Sequence, residues 1–284
     1  MYKILKKRVL NPTVTLMEIE APLIARKAKA GQFIMLRVDD GGERIPLTVA
    51  DTDESTGGVT IIFQKVGKTT NELDLLHEGD FLLDFVGPLG NASELEGVKK
   101  AAVIGGGLGA AIAYPQAKEL HKLGAEVHAI LGFRSKELVI LEDEMEACSS
   151  ELVVATDDGS YGVHGFVTDV LKQKIEQGNE YDLVVAIGPL IMMKMVSELT
   201  RSYGIKTVVS MNSVMVDGTG MCGGCRVTVD GETKFACVDG PDFDGHLVDF
   251  DQAMVRGGMY HRQEELSDEQ HHCRLQEMGE KLDA

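Results

Sequence analysis

From Val98 onward the chain alternates strictly between apolar runs of strand length and amphipathic stretches of helical period. That alternation is the feature that most restricts how it can fold. KKAAVIGG, EVHAILGF, ELVVATDD, YDLVVAIG and KTVVSMN read as buried strands. AAIAYPQAKELHKLG, ELVILEDEMEACS, HGFVTDVLKQKIEQG and PLIMMKMVSELTRSYG lie between them and read as helices, the first ended by Gly124. Strands buried on both faces and joined by helices make a doubly wound α/β domain, a parallel sheet with helices on each side.

The residues before Val98 follow another rule. YKILKKRVL, VTLMEIEAP, QFIMLRV, PLTVAD, VTIIFQKV and FLLDFVG are short apolar or alternating runs. Asn11-Pro12, Asp40-Gly41-Gly42 and Gly57-Gly58 separate them. Evenly spaced strands with turn residues between them suggest a small closed β-barrel. After the α/β part, RVTVDGETKFAC reads as a hairpin turning at Asp230-Gly231. The expected organisation is a barrel over 1–98, an α/β domain over 99–211, a short cysteine-bearing segment over 212–245 and a polar tail over 246–284. No internal repeat or low-complexity segment is visible.

The net charge is −17. A phosphate backbone or an anionic membrane would be repelled, so neither nucleic acid nor membrane is an expected partner. The N-terminal MYKILKKRVLNPTV has no apolar core of signal-peptide length. The longest apolar run, over 101–113, is glycine-rich and short of the about 20 residues of a membrane span. These features point to a cytoplasmic protein. There are five cysteines, an odd count with three clustered, which favours metal over a disulfide framework.

VIGGGLGAA, Val103–Ala111, lies between a strand and a helix. A glycine turn there could be no more than a tight connection. In this context Gly105, Gly106, Gly107 and Gly109 instead let the backbone approach a pyrophosphate at a helix N-terminus. GFRSK (132–136), TDDGS (156–160) and IGPLIMM (187–193) fall at the same carboxyl edge of the expected sheet, where ligands of such folds bind. TDDGS also suits a plain turn with a helix cap.

MVDGTGMCGGCRV, Met215–Val227, carries the cysteine cluster, and Cys237 follows Cys225 after eleven intervening residues. Plant-type 2Fe–2S loops have C-x4-C-x2-C and a distant cysteine. Here the pattern is D-x4-C-x2-C-x11-C, which makes Asp217, Cys222, Cys225 and Cys237 the candidate ligands; a carboxylate can bind iron, although it is harder than thiolate. Two other readings stay open. Asp217-Gly218 could be only a turn, with Cys273 or a histidine as fourth ligand, or the three cysteines could bind zinc. Cys148 reads as a small core residue, and His271-His272-Cys273 as solvated tail.

A barrel, then a strand–GGGxG–helix unit, then a strand ending in GPxxMM, resembles the ferredoxin–NADP reductase superfamily over about the first 210 residues. The resemblance implies a flavin on the barrel and a nicotinamide cofactor on the α/β domain. The family's R-x-x-S/T flavin motif is matched by GERIPLT: Arg44 would hold pyrophosphate, Pro46 and Leu47 would line the flavin, and the Thr48 hydroxyl would stand near flavin N5 as the catalytic group. Arg44 is one residue farther from the threonine than the pattern has it. Gly67-Lys68-Thr69-Thr70 is similar to the family's phosphate turn, and GPLG (87–90) closes the barrel. Members that prefer NADP carry Ser and Arg where this chain has Thr156, Asp157 and Asp158. Two carboxylates repel a 2′-phosphate, so NAD(H) is expected, with Arg134 and Lys136 nearby. Gly188 and Pro189 would flank the nicotinamide. Ile187 replaces a cysteine common in the family, but hydride transfer needs proximity and orientation rather than a proton-transfer group.

The cysteine segment resembles that of the electron-transfer subunit of dihydroorotate dehydrogenase, in which a cysteine stands at the Asp217 position. GQFIMLRV with GERIPLTVADTD, GGGLGAAIAYPQAKEL, VDGTGMCGGCRVTV and HLVDFDQAMVRGGMY extend the likeness to the small (alpha) subunits of NADH-dependent reduced ferredoxin:NADP oxidoreductases, also called sulfide dehydrogenase subunits. This implies FAD, a 2Fe–2S cluster and NAD(H), with single electrons passed to a larger glutamate-synthase-like flavin and iron–sulfur subunit that bifurcates electrons between NADP and ferredoxin. Ferredoxins are usually acidic, so a −17 chain should repel them and leave ferredoxin to dock on the partner. The tail over 246–284 is expected to pack on that partner. The alternatives are a dihydroorotate dehydrogenase electron-transfer subunit and, in another class, a non-catalytic zinc-stabilised nucleotide sensor.

Overall fold

The computed structural model describes residues 1–260, 262–264 and 266. Its first part is a seven-stranded antiparallel sheet of β1 (Tyr2–Asn11), β2 (Val14–Glu20), β3 (Phe33–Arg37), β4 (Ile45–Asp53), β5 (Gly58–Gln64), β6 (Phe81–Leu82) and β7 (Asp84–Leu89). Helices α1 (Pro22–Ala25) and α2 (Lys68–Leu75) interrupt the strand run. The spatial order is β6-β1-β2-β5-β4-β3-β7. Its two edge strands, β6 and β7, are consecutive in the chain, so the sheet curls into the expected near-closed barrel. Period-two alternation fills the interior: Met17 and Ile19, Ile34 and Leu36, Ile61 and Phe63 are fully buried.

The second part contains β8 (Lys100–Gly106), α3 (Gly109–Lys122), β9 (Glu126–Phe133), α4 (Glu142–Glu146), β10 (Glu151–Thr156), β11 (Val163–His164), α5 (Val167–Glu176), β12 (Leu183–Ile187), α6 (Leu190–Tyr203) and β13 (Thr207–Ser210). A hairpin of β14 (Arg226–Val229) and β15 (Glu232–Phe235), strand β16 (Asp242–Asp244) and helix α7 (Phe250–Gly257) follow. The large sheet runs β11-β10-β9-β8-β12-β13-β16. The chain starts at β8, builds outward to β10 and then crosses to β12, so the crevice between β8 and β12 is the switch point where such sheets bind ligands.

Two expectations need correction. The helix foreseen over ELVILEDEMEACS shrinks to the five residues of α4 behind a 3₁₀ turn at Lys136–Leu138. Ile140 and Leu141 are drawn into the core instead, and Leu141 takes a left-handed φ of 56° at the helix start. The sheet is also mixed rather than purely parallel. β16, from beyond the cysteine loop, returns to pair antiparallel with β13. The hairpin turns at Asp230 (φ 51°) and Gly231 (φ 74°), as its sequence requires.

Of the polar tail, the described part leans on this chain. Phe250 of α7 is buried, Lys194 on α6 pairs with Asp251 at 2.7 Å, and Asp249 caps α7 by accepting from Gln252 N at 2.9 Å. His271, His272 and Cys273 lie outside the described residues. No described helix is long and apolar enough to cross a membrane.

All three parts meet at Asp242. Its Oδ2 accepts from Ser93 Oγ at 2.6 Å, on the link leaving the barrel, and from Gln116 Nε2 at 3.2 Å, on α3. The residue as a whole is half-buried, yet its Oδ1 is shut from solvent and, like Gln116 Oε1, has no partner among the described residues. Burial raises the Asp242 pKa, against hydrogen bonds from Ser93, Ser210 and Gln116 that lower it. The folded chain therefore holds this proton to higher pH than the unfolded chain does. Stability from this site falls as pH rises from the ordinary value of 3.8 through the raised one. Asp242→Asn cannot ionise, so it should unfold at higher temperature than the parent near neutral pH and lose that advantage in acid below 3.8. Thermal unfolding at both pH values checks this; an equal difference at both would contradict it.

Candidate functional site

The glycine turn and the Gly-Pro turn lie side by side at the switch point. Ile187 pairs with Gly105 across β12 and β8, and a Cβ added to Gly188 would stand 3.1 Å from the Gly106 Cα. Gly109 opens α3 so close to β12 that a Cβ there would lie 2.2 Å from the Ile187 carbonyl oxygen. Gly107, by contrast, has φ +56° and open space where a side chain would be. The turn thus packs tightly on its protein side and leaves its outer side free, which suits close approach of a pyrophosphate to the α3 N-terminus.

The other edge loops converge there too. Asp157 N donates to the Phe133 carbonyl at 3.0 Å and Asp158 N to the Arg134 carbonyl at 3.2 Å, which fastens TDDGS to GFRSK. Arg134, Asp157 and Asp158 are exposed. Ser160 donates to the Asp158 carboxylate through both side chain and backbone and holds its pKa below the usual range. Asp158 therefore forms the turn and also stays charged.

On the barrel, Pro46, Leu47 and Thr48 are half-buried on β4 opposite Met35, Ile34 and Phe33 of β3. Arg44 stands just before the strand, exposed, with Nη2 3.8 Å from Asp84. Gly67 is the N-cap of α2, and Lys68, Thr69 and Thr70 form its first turn. Thr70 Oγ1 accepts from Val66 N at 3.0 Å and Gly67 N at 3.2 Å, while a Cβ on Gly67 would meet nothing. A basic strand edge and an open glycine cap offer what a flavin phosphate needs.

The cysteine loop divides its four candidate ligands. Cys225 and Cys237 are buried with their sulfurs 3.1 Å apart. Burial first, then the Cys225 sulfur, pushes the Cys237 thiol up to about 12, so a cation is what would release its proton. Cys222 is exposed and Asp217 half-buried. Asp217 Oδ2 accepts from Cys222 N at 2.8 Å and Oδ1 from Thr219 N at 2.7 Å. The Thr219 bond leads in holding the carboxylate pKa low. Asp217 is thus a turn former whose charge is retained, compatible with the turn reading and with ligation. Among the described residues no three His, Cys, Asp or Glu side chains converge as a single-ion site. Asp217, Cys222, Cys225 and Cys237, thiol-rich and on one loop system, are the residues that would hold an iron–sulfur cluster, which would supply one-electron transfer.

The residue that sequence reasoning missed is Gly218. With φ +74° it presses on the barrel: a Cβ there would meet Met35 Cγ at 2.7 Å and Leu89 Cδ1 at 3.2 Å. Met35 is the β3 partner of Pro46, so the cysteine loop stands one strand from the candidate flavin strand. Asn91 strengthens the join, donating from N to the Gly240 carbonyl at 2.7 Å and from Nδ2 to the Val238 carbonyl at 3.1 Å. The glycine-rich spacing hinted at a tight loop but not at what it would rest on.

A family model described as the iron–sulfur cluster binding domain of dihydroorotate dehydrogenase B matches residues 212–249. The chain is 48% identical over 249 residues to a dihydroorotate dehydrogenase B (NAD(+)) electron transfer subunit homolog of Thermotoga maritima, with 88% of each covered. The chain belongs to the dihydroorotate dehydrogenase B electron-transfer subunit family. It is also 53% identical over 272 residues to an uncharacterized protein of the adh 3′ region in Clostridium beijerinckii, covering 93% of this chain and 92% of that one. In three dimensions it is similar to a solved NADH-dependent reduced ferredoxin–NADP oxidoreductase studied for flavin-based electron bifurcation. The identity is 44% and the TM-score 0.90, over 95% of this chain and 97% of that one. It is an electron-transfer subunit of a flavin and iron–sulfur oxidoreductase, with the ferredoxin reductase-like fold.

Gly109→Ala tests the tight side of the crevice. Its methyl group meets backbone, which cannot swing aside, so a loss of about 1–3 kcal/mol is expected in denaturant unfolding, with weaker NADH binding. Gly107→Asn, a residue that tolerates φ +56° and would meet no atom at its Cβ, should weaken NADH binding with a smaller stability loss. A stability loss equal to that of Gly109→Ala would contradict this division.

Proposed function

We propose that this subunit takes a hydride from NADH at a barrel-bound FAD and returns its electrons one at a time through a 2Fe–2S cluster in the cysteine loop. The observation that carries the reading is the seat of Gly218 on Met35 and Leu89, which puts the cysteine loop beside the strand of Pro46, Leu47 and Thr48. The flavin supplies the exchange between two-electron and one-electron chemistry. The protein's part is placement. Arg44 and the Gly67–Thr70 turn hold phosphate, and Thr48 presents its hydroxyl to the flavin ring. Gly105, Gly106, Gly107 and Gly109 cradle the dinucleotide, while Gly188 and Pro189 limit where the nicotinamide can lie. Asp157 and Asp158 disfavour a 2′-phosphate, so the donor is NADH. Asp217, Cys222, Cys225 and Cys237 hold the cluster.

The cluster exchanges these single electrons with a larger, glutamate-synthase-like subunit, where a flavin would join or split electron pairs between NADP(H) on one side and ferredoxin and this cluster, one electron each, on the other, in line with the likeness to the solved bifurcating oxidoreductase. Ferredoxin docks on that partner, away from this acidic chain. The matched cluster-binding family favours a second reading, in which the partner is a dihydroorotate dehydrogenase. Co-purification of this chain from its host separates the two.

Anaerobic visible and EPR spectra of the purified chain test the core of the proposal. NADH should bleach flavin bands, NADPH should do so far more slowly, and reduction should raise a 2Fe–2S signal. Asp217→Cys should alter that signal while the iron is retained. A colourless protein containing zinc would overturn the proposal in favour of a nucleotide sensor.

A further inference from the structure

Two guanidiniums grip the cysteine loop by its backbone. Arg226 Nη1 donates to the Gly223 carbonyl at 2.9 Å, and Arg256 Nη2, from α7, donates to the Gly224 carbonyl at 3.2 Å. These carbonyls belong to successive peptide groups between Cys222 and Cys225. The first peptide turns its other end to sulfur, since Gly224 N donates to Cys222 Sγ at 3.4 Å. Guanidinium, peptide and sulfur therefore form one polarised chain. A cation on the carbonyl draws electron density through the amide and makes its N–H a stronger donor.

The chain has 45 acidic residues and 28 lysines and arginines, so a basic side chain has carboxylates in easy supply. Among the described residues both donate to backbone carbonyls rather than to a carboxylate, and both line a single cavity of about 320 Å³ between the hairpin and α7. Two like charges on one cavity repel unless a negative group offsets them. The cysteine loop, whose carbonyls both guanidiniums hold, becomes such a negative group when its thiols ionise. α7 is also anchored for the task. Asp249 N donates to the Thr228 carbonyl at 2.9 Å, Thr228 bonds to Gln252, and Asp251 pairs with Lys194.

We propose that Arg226 and Arg256 set the reduction potential of the cluster in this loop. They act as positioning residues: Arg226 polarises the peptide whose N–H points at Cys222 Sγ, and both bring positive charge beside the cluster. Hydrogen bonds to sulfur and added positive charge both favour the reduced, more negative cluster, so the pair raises its potential. α7 thereby becomes a functional part of the electron path, although it carries no ligand. This inference rests on the proposal above that the loop holds a 2Fe–2S cluster.

The test is a potentiometric EPR titration of the full-length, cluster-loaded chain and of its Arg226→Gln, Arg256→Gln, Arg226→Lys and Arg256→Lys variants. Iron and sulfide are measured alongside. Each glutamine variant should keep its cluster and show a more negative midpoint, the double variant a larger shift than either, and the lysine variants should regain most of the loss. Glutamine variants with the parental midpoint would overturn the inference. Lysine and glutamine variants shifted equally would overturn it too, by assigning the effect to loop packing. Should Arg256→Gln shed its cluster, Arg226→Gln, on the exposed side, decides by the same criterion. A parent chain that takes up no iron or sulfide would refute the cluster reading itself, whereas a loaded cluster with unmoved midpoints would refute only the role of the arginines.

Discussion

The contact on which the rest depends is the seat of Gly218 on the barrel. A loop built around metal ligands must enclose its cargo, yet an electron path needs it close to the donor. Left-handed Gly218 meets both demands by letting the loop turn sharply and rest its backbone on Met35 and Leu89. Any side chain there would be strained by its φ and would push into Met35, which is itself buried. Asn91 fastens the same join from the barrel side, and β16 fastens it from the α/β side by adding a strand next to β13. The cysteine segment is thus wedged between the barrel and the α/β sheet, and its buried residues share a core with both.

The wedge also explains the electrostatics. Burial first, and then the Cys225 sulfur 3.1 Å away, pushes the Cys237 thiol up to about 12. Positive charge is what such a site lacks, and the chain supplies it at the loop's peptide carbonyls through Arg226 and Arg256. At the crevice the balance is reversed. There the exposed carboxylates of Asp157 and Asp158 oppose any further negative charge, while the backbone of the glycine turn is left open to a phosphate.

The barrel, the doubly wound sheet and the two glycine turns were legible because each is written in local periodicity. Period two filled the barrel with Met17, Ile19, Ile61 and Phe63, and near-continuous apolar runs made the strands on either side of the switch point. The misses share one physical cause, which is tertiary pull on short segments. Ile140 and Leu141 left helical register because the core could take them. PDFDG was too short and too acidic to announce itself as a strand, but β13 offered an open edge and Ser93 and Gln116 offered partners for Asp242. Arg226 and Arg256 gave no local signal at all, because their targets are backbone carbonyls that only the folded loop presents.

The central claim is that electrons enter in pairs at one cofactor and leave singly through another. It is tested most directly by stopped-flow comparison of the parent chain with Cys225→Ser, following flavin bleaching by NADH and reduction of a one-electron acceptor in the same sample. The account predicts that both proteins bleach with NADH at similar rates, while delivery to the one-electron acceptor collapses in the variant. Unchanged delivery in a variant shown to lack the cluster would mean that electrons bypass the cysteine loop, and would contradict the account.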